Sequence, residues 1–317
     1  MFLAMSTSFL PSRFRRLAPG AALLAPVLAL VGCGSDNNNR LPEAGTAQLV
    51  VLETSDLHAN LLSYDYFKLA EDKSVGFERT ATLIRQARAE FPNTLLIDNG
   101  DTIQGTAVAD YQALVSPVSC ATKLATYKAM DAIGYDAGTL GNHEFNYGLP
   151  YLAQVTGTRF NVDGMPEVAA QSLCKGPDFP LTLANVTSRK DGKTLYKPYV
   201  MLERTITGVD KDGKAFSGKI KVAVIGLTPT PILAWDKRWL DGKVDVQGVV
   251  ETASKYVPMA RAEGADLVIA ASHGGFDSSA YSASMENANY HLAKLAGIDG
   301  ILMGHSHSEF PNATCAT

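Results

Sequence analysis

Five of the six histidines in the sequence follow short apolar segments of the kind that form β-strands. These five are His58, His143, His273, His305 and His307. The sixth, His291, lies in a segment with helical periodicity and is most simply a packing or surface residue. Imidazoles in loops can bind metal ions or transfer protons. The distribution therefore predicts one chemical site built from several loops.

Carboxylate and amide side chains stand at the ends of the same segments. With the histidines they form a candidate set of metal ligands that contains no thiolate: Asp56, His58, Asp101, Asn142, His273, His305 and His307. Such a set suits Mn, Fe, Zn or Mg. Because one ion usually takes only about four to six ligands, we expect two divalent metal ions that share a carboxylate. Asp101 is the candidate for the shared ligand.

Each motif alone also has an ordinary structural explanation. An Asp-x-His or a Gly-Asp sequence is often a turn or a helix cap, and residues 141–148 are also compatible with a polar turn. The pair His305 and His307 is more specific, because strand-like alternation places both imidazoles on one side. The recurrence of such motifs after successive strands favours the metal site.

The segments that must position these residues alternate between β-rich and helical patterns from residue 47 onward, which predicts an α/β fold with partly parallel strands. Strands are predicted at 48–54, 94–97, 136–140, 181–185, 266–271 and 300–303, a hairpin at 199–207 and 219–227, and helices at 77–90, 122–133, 249–263 and 286–296. Residues 149–198 are otherwise predicted to be irregular. Because ligands bind beyond the carboxyl ends of strands in such sheets, the loops should converge.

Composition narrows the range of partners. The chain has 317 residues, of which 46% are hydrophobic, so it can bury a substantial core. Its formal net charge of −4 provides no sequence-wide positive field. We therefore expect no binding to nucleic-acid duplexes, whereas small anionic substrates remain compatible through local charge.

The N-terminal segment is predicted to be an export signal. Three arginines between residues 13 and 16 precede an apolar segment, 17–31, that is too short to span a bilayer. The segment ends at Cys33 in a sequence that resembles a bacterial lipobox, with a soluble signal peptide as the alternative. We expect a periplasmic protein attached to the membrane only through a lipid on Cys33, followed by a flexible tether at 34–46.

The remaining cysteines suggest one disulfide, because export leads to an oxidising compartment. They are Cys120, Cys174 and Cys315, an odd number that leaves one thiol unpaired or engaged between molecules. We favour a bond between Cys120 and Cys174, since both lie in polar, loop-like segments. The sequence does not prove this connectivity.

The full succession of motifs resembles the calcineurin-like metallophosphoesterases, and in particular their 5′-nucleotidase branch. The motifs are Asp-x-His at 56–58, Gly-Asp at 100–101, Gly-Asn-His-Glu at 141–144, His273 before small residues, and Gly-His-x-His at 304–307. The resemblance implies a four-layer α-β-β-α sandwich and a nucleotide substrate. It places one metal among Asp56, His58, Asp101 and His307, and the other among Asp101, Asn142, His273 and His305. His143 would be the catalytic residue, and Glu144 is expected to brace the loop.

Asn146 distinguishes branches of this family. The 5′-nucleotidases typically carry an Asp three residues after the catalytic histidine, and an amide cannot raise the imidazole pKa as a carboxylate would. Asn146 therefore favours similarity to the members that hydrolyse 2′,3′-cyclic nucleotides to 3′-nucleotides and then to nucleosides. The alternatives are a 5′-nucleotidase or UDP-sugar hydrolase, another hydrolase on the same metal core, and an inactive metal-binding lipoprotein fragment.

The C-terminal end departs from the family pattern. Ten residues follow His307, whereas the resemblance implies further strands and a C-terminal domain that clamps the base. We therefore expect a signal peptide at 1–33, the tether at 34–46, and a truncated catalytic domain at 47–317. The missing domain, or a partner, would complete the sheet edge.

Overall fold

The computed structural model describes residues 41–165 and 174–308. The predictions for the signal peptide, for Cys33, for most of the tether and for Cys315 lie outside these residues. Within them, the strands are β1 (Gly45–Thr46), β2 (Val50–Thr54), β3 (Tyr64–Asp65), β4 (Ala70–Glu71), β5 (Thr94–Asp98), β6 (Ala137–Thr139), β7 (Leu181–Thr182), β8 (Val186–Ser188), β9 (Tyr199–Asp210), β10 (Ala215–Leu227), β11 (Val244–Val246), β12 (Leu267–Ser272) and β13 (Gly300–Met303).

Helices connect the strands on the outside of the molecule. They are α1 (Phe77–Glu90), α2 (Ala107–Asp110), α3 (Ala125–Ile133), α4 (Gly148–Thr156), α5 (Ile232–Trp235), α6 (Lys237–Leu240), α7 (Val249–Ala262) and α8 (Asn289–Leu292), with a π-helical turn at Tyr111–Val115 and a 3₁₀ turn at His143–Phe145. Among the described residues, no helix is both long enough and apolar enough to cross a bilayer.

The first large sheet has the order β2-β5-β6-β7, and all of its strands are parallel. Its strands are buried on both faces, as the apolar sequence of β5 shows. Leu95 and Ile97 face one core cluster and Leu96 faces another, which follows from the two-residue period of a strand.

The second large sheet has the order β1-β9-β10-β12-β13. The hairpin β9–β10 is antiparallel, whereas β10, β12 and β13 run parallel to one another. Gly213 turns the hairpin with a φ of 77°, a left-handed conformation that glycine adopts without strain. Val222 and Val224 face the first sheet, and Ala223 and Ile225 face the opposite side.

Three hydrophobic clusters define four layers. One cluster fills the space between the two sheets, and the other two lie outside them. Helix α1 contributes Ile84 to the cluster outside the first sheet, and α7 contributes Ala253 and Val257 to the cluster outside the second. This arrangement confirms the predicted α/β fold with an α-β-β-α sandwich.

Several predicted segments differ from the structure. Helix α4 occupies the start of the region predicted to be irregular, because Pro150 lies in its first turn, where no backbone N–H is needed. The helix predicted at 286–296 contains only the four residues of α8. Asn289 at its start instead donates its side-chain amide to the carbonyl oxygens of Ser272 and Gly274.

The predicted disulfide between Cys120 and Cys174 is confirmed, with a Cα–Cα distance of 4.5 Å. It joins two loops that lie 54 residues apart in the sequence. A link across a loop of this length stabilises the fold mainly by restricting the unfolded chain, typically by about 2 to 4 kcal/mol.

Candidate metal centre

The loops that carry the predicted residues meet at the carboxyl ends of the strands of both sheets. Asp56 and His58 follow β2, Asp101 follows β5, Asn142 and His143 follow β6, His273 follows β12, and His305 and His307 follow β13. Because these strands run parallel within each sheet, their carboxyl ends share an edge, as expected for a ligand site of an α/β fold. His291 lies outside this cluster and contacts Ser279 and Tyr281.

The backbone is left-handed at five of these positions. Among the described residues, the non-glycine residues with positive φ are Asp56, His58, Ala59, Leu69, Asp101, His305 and His307. All but Ala59 and Leu69 belong to the predicted ligand set. Residues other than glycine rarely adopt this backbone conformation. It persists where the surrounding structure enforces it, often at functional sites. Sequence patterns cannot reveal this signal.

An inner group consists of Asp101, His273 and His305, whose candidate ligand atoms all lie within 4.8 Å of one another. His273 Nε2 lies 2.9 Å from Asp101 Oδ2, and both residues are almost fully buried. His273 Nδ1 donates to the carbonyl oxygen of Asn99 at 2.7 Å, which leaves Nε2 directed at the cluster. Asn142 Oδ1 is buried nearby in the same loop system without a hydrogen-bond donor.

An outer group consists of Asp56, His58 and His307, which satisfy the same distance limit. His307 Nε2 lies 3.2 Å from both Asp56 Oδ1 and His58 Nε2. His58 Nδ1 donates to the carbonyl oxygen of Gln104 at 2.8 Å, so His58 also turns Nε2 to the cluster. The carboxylate of Asp56 accepts the backbone N–H of His305 at 3.1 Å and thereby joins two loops.

Charges within the cluster shift several pKa values. Burial alone would raise the pKa of Asp101, but the hydrogen bond and charge of His273 outweigh burial and lower the pKa to about 2. Burial would lower the pKa of His273, yet the hydrogen bond and charge of Asp101 raise it to about 9. Burial lowers the pKa of His58 and keeps its imidazole neutral at pH 7, the form that binds metals.

The residues fit a divalent metal ion. With Nδ1 of His273 donating to a carbonyl, its Nε2 faces the Asp101 carboxylate at 2.9 Å, and two electron pairs this close must share either a proton or a metal ion. The buried Oδ1 of Asn142 is a further acceptor without a donor. Carboxylate, amide and imidazole donors suit Mn, Fe, Zn or Mg. The clustered side chains therefore support the use of divalent metal.

Glu144 braces the loops around Asp101, as expected. Its buried carboxylate accepts the backbone N–H groups of Asp101, Thr102, Ile103 and Gly141 at 2.6 to 3.2 Å. Gly141 is required for this packing, since a Cβ there would lie 2.2 Å from Asp101 Oδ1. Glu144 thus fixes the backbone around Asp101 with both of its carboxylate oxygens.

His143 lies at the margin of the cluster. Its side chain is 35% exposed, and its Nε2 lies 3.9 Å from Asp101 Oδ2. Its backbone N–H donates to Asp101 Oδ1 at 2.7 Å, and Nδ1 lies 2.6 Å from Oδ1 of Asn146. Its position leaves Nε2 accessible to a substrate.

Two residues near the cluster were missed in the sequence. Glu286 Oε1 lies 2.6 Å from His305 Nε2, and the side chain of Asp236 accepts from Asn146. Neither stands at a strand end, and no motif marks them. Their contacts arise only when separate loops fold together.

The chain is similar to known proteins over most of its length. A family model described as calcineurin-like phosphoesterase matches residues 49–309. A 2′,3′-cyclic-nucleotide 2′-phosphodiesterase/3′-nucleotidase of Yersinia enterocolitica is 39% identical over 93% of this chain, and the match covers 41% of that relative. The trifunctional nucleotide phosphoesterase protein YfkN of Bacillus subtilis is 42% identical over 86% of this chain and 17% of its own length.

A solved structure is similar as well. The crystal structure of calcineurin-like phosphoesterase YfkN from Bacillus subtilis superposes with a TM-score of 0.75 at 41% identity. The alignment covers 85% of this chain and 75% of that one. The chain therefore spans less than half the length of the full relatives, while its fold corresponds to most of the solved domain.

Proposed function

The chain belongs to the calcineurin-like phosphoesterase family, and we propose that it is a metal-dependent hydrolase of nucleotide phosphoesters. Its substrates would be 2′,3′-cyclic nucleotides, which it converts to 3′-nucleotides and then to nucleosides. The observation that carries the proposal is the contact of the inner and outer groups around Asp101, with His143 Nε2 at their margin. The relatives that are about 40% identical to this chain over the aligned region support the substrate class.

Each group would hold one ion. In the proposal, Asp56, His58 and His307 bind one, Asn142, His273 and His305 bind the other, and Asp101 contributes to both. Mn, Zn, Fe or Mg would suit these donors. When bound, two such ions supply a water of lowered pKa for attack at phosphorus and neutralise charge on the phosphoryl oxygens.

The protein's own residues then act on the leaving group. His143, protonated at Nε2, would donate its proton to the ribose oxygen that departs, a step typically worth about 10²- to 10⁴-fold in rate. A cyclic substrate first yields a 3′-nucleotide when the bond between phosphorus and the 2′ oxygen breaks. The same residues would then serve the release of phosphate from the 3′ oxygen.

The experiment is an assay of the purified chain with Mn²⁺ on 2′,3′-cyclic AMP, 3′-AMP, 5′-AMP and bis-p-nitrophenyl phosphate. Asp101→Asn should lower kcat/KM about 10³-fold, because a neutral amide is a weaker ligand than the carboxylate proposed to serve both ions. Asp178→Asn is the matched control, since Asp178 is exposed and pairs with Lys123 instead. Equal turnover by the wild type and Asp101→Asn would contradict the proposal.

The same assay separates the alternatives. Preference for 5′-AMP over the cyclic substrate would identify a 5′-nucleotidase, and Mn²⁺ binding without turnover of any substrate would identify a metal-binding protein.

We also propose export and lipid attachment through Cys33. Labelling cells with radioactive palmitate should mark the wild type and leave Cys33→Ala unlabelled.

A further inference from the structure

A buried carboxylate contacts the proposed catalytic histidine through one intervening amide. Nδ1 of His143 lies 2.6 Å from Oδ1 of Asn146. The side-chain amide of Asn146 in turn donates to Asp236, at 3.2 Å to Oδ1 and 3.0 Å to Oδ2. The three side chains form a continuous chain of hydrogen bonds that ends on a residue only 4% exposed.

Chemistry determines the direction of every bond in this chain. An ionised carboxylate only accepts, so the NH₂ group of Asn146 must face Asp236. The carbonyl oxygen of Asn146 therefore faces His143, and because that oxygen also only accepts, Nδ1 of His143 must carry a proton. Nε2, the nitrogen that faces the metal centre, is then the position at which a proton is gained or lost.

The segment that contains Asp236 contacts the Asn146 loop at more than one point. Trp239 Nε1 donates to the backbone carbonyl of Asn146 at 2.9 Å, and Arg238 reaches the same oxygen at 3.4 Å. The ring of Trp239 also packs against Gly148, where a Cβ would lie 2.9 Å from it. Residues 236–239 thus hold both the backbone and the side chain of Asn146.

Helix capping does not explain Asp236. The residue occupies the N-cap position of α6, where an aspartate normally accepts a backbone N–H of the first turn. Its side chain makes no such bond. Both carboxylate oxygens instead contact Asn146, 90 residues away in the sequence.

We propose that Asp236 is a positioning residue for the hydrolysis, acting through Asn146 to hold His143 in its Nδ1–H form with Nε2 directed at the leaving oxygen. This inference rests on the proposed function, in which His143 serves the leaving group. Aligned by the carboxylate, the amide of Asn146 presents its carbonyl oxygen to Nδ1–H and fixes the orientation of the His143 ring. Asp236 would thereby supply, through the amide, part of the support that a carboxylate beside the histidine would give directly.

The first test is Asp236→Asn, which conserves shape and removes the charge. An amide at position 236 can donate as well as accept, so it no longer determines which end of Asn146 faces His143. On 3′-AMP, whose alkoxide leaving group needs a proton, we expect kcat to fall about 10-fold or more, with KM changed less than about 2-fold. On bis-p-nitrophenyl phosphate, whose leaving group needs no proton, the loss should stay below about 3-fold.

Asp241→Asn is the matched control, because it makes the same chemical change at an exposed position five residues away. It should leave both substrates unaffected. An equal loss on both substrates by Asp236→Asn, or a parallel fall in bound Mn²⁺, would show that Asp236 is merely structural and overturn the inference.

A second test exchanges the two side chains. Asn146→Asp alone places two carboxylates together and should lower kcat on 3′-AMP about 10-fold or more, because both charges compete for one proton. The double variant Asn146→Asp with Asp236→Asn restores one carboxylate and one amide in contact. It should recover activity to within about 3-fold of the wild type, a non-additive result expected of two side chains that act as one hydrogen-bonded pair. Failure to recover, in a folded double variant, would contradict the proposal.

A third test does not depend on turnover. In protein labelled with ¹⁵N-histidine and loaded with diamagnetic Zn²⁺, His143 should show a slowly exchanging Nδ1–H proton, assigned by its disappearance in His143→Gln. The signal should persist in Asp241→Asn and exchange faster in Asp236→Asn. If it is unchanged in Asp236→Asn, the inference is wrong. If the wild-type protein shows no turnover, the proposed function is refuted instead. The Nδ1–H signal would then still show whether Asp236 positions the ring of His143.

Discussion

The inner and outer groups of the metal centre share residue types but differ in how the protein holds them. Asp101 and His273 of the inner group are each 1% exposed, whereas the side chain of His307 in the outer group is 61% exposed. The side chains of Asp101 and His273 contact backbone groups of neighbouring loops. Within the described part of the chain, the side chain of His307 contacts two other ligand candidates, Asp56 and His58.

The two groups therefore depend on the rest of the fold to different degrees. The inner group is tied to the core, because Glu144 joins the loops after β5 and β6 and His273 joins the second sheet to Asn99 of the first. In the outer group, Asp56 and His58 also contact backbone groups, whereas His307 contacts the other candidate ligands. We therefore expect damage to the inner group to destabilise the fold, and damage to the outer group to weaken metal binding alone.

The largest effect should follow from Glu144→Ala. The substitution leaves four buried backbone N–H groups without their acceptor, each costing about 1 to 3 kcal/mol, so the free energy of unfolding should fall by at least about 4 kcal/mol. Urea denaturation of the metal-free protein measures the change. Unaltered stability would remove the basis for treating the inner group as part of the core.

A pair of histidine substitutions compares the groups directly. His273→Ala leaves the buried carboxylate of Asp101 without its partner and should cost about 3 kcal/mol of unfolding free energy. His307→Ala removes an exposed ring and should change stability by less than about 0.5 kcal/mol. Both should lower Mn²⁺ affinity in calorimetric titrations. Similar stability losses in the two variants would eliminate the distinction.

Much of this arrangement could be predicted from the sequence because strand ends and ligand types are local features. The seven ligand candidates and His143 converge as expected from their positions after strands. Their assignment to individual ions remains a prediction. The left-handed backbone at Asp101 and the contacts of Glu286 and Asp236 could not be predicted, since they depend on how distant loops pack. Helix α4 was not predicted because a proline usually interrupts a helix. Pro150 is tolerated only because the helix begins at Gly148, two residues earlier.

An effect of intermediate size is expected in how the free energy of unfolding depends on pH. The folded pKa of His273, about 9, lies above its ordinary value of 6.5, so its ion pair with Asp101 stabilises the metal-free protein below pH 6.5. This contribution should be lost as pH rises through 9, at a cost of about 3 kcal/mol. Metal affinity should rise over the same interval, because the metal requires the neutral ring.

The matched comparison for this pH effect is His273→Gln. Burial also raises the pKa of Asp98 to about 7 and that of Glu53 to about 8, so the wild type has other groups whose ionisation destabilises the fold as pH rises. Only the difference between wild type and His273→Gln reports on the inner pair. Parallel stability curves from pH 6.5 to 9 would mean that His273 carries no stabilising proton.

The smallest effect should come from Glu286→Gln, which tests whether an exposed carboxylate can matter to the inner group at all. Glu286 is 46% exposed and contacts His305 at Nε2, so its loss should change stability by less than about 0.5 kcal/mol. Because a carboxylate orients a ligand imidazole and raises its basicity, Mn²⁺ affinity should still fall about 10-fold. Glu203→Gln is the control, since Glu203 is equally accessible but pairs with Lys219 in the hairpin. An unchanged affinity for Glu286→Gln would show that the inner group owes its order to the buried contacts alone.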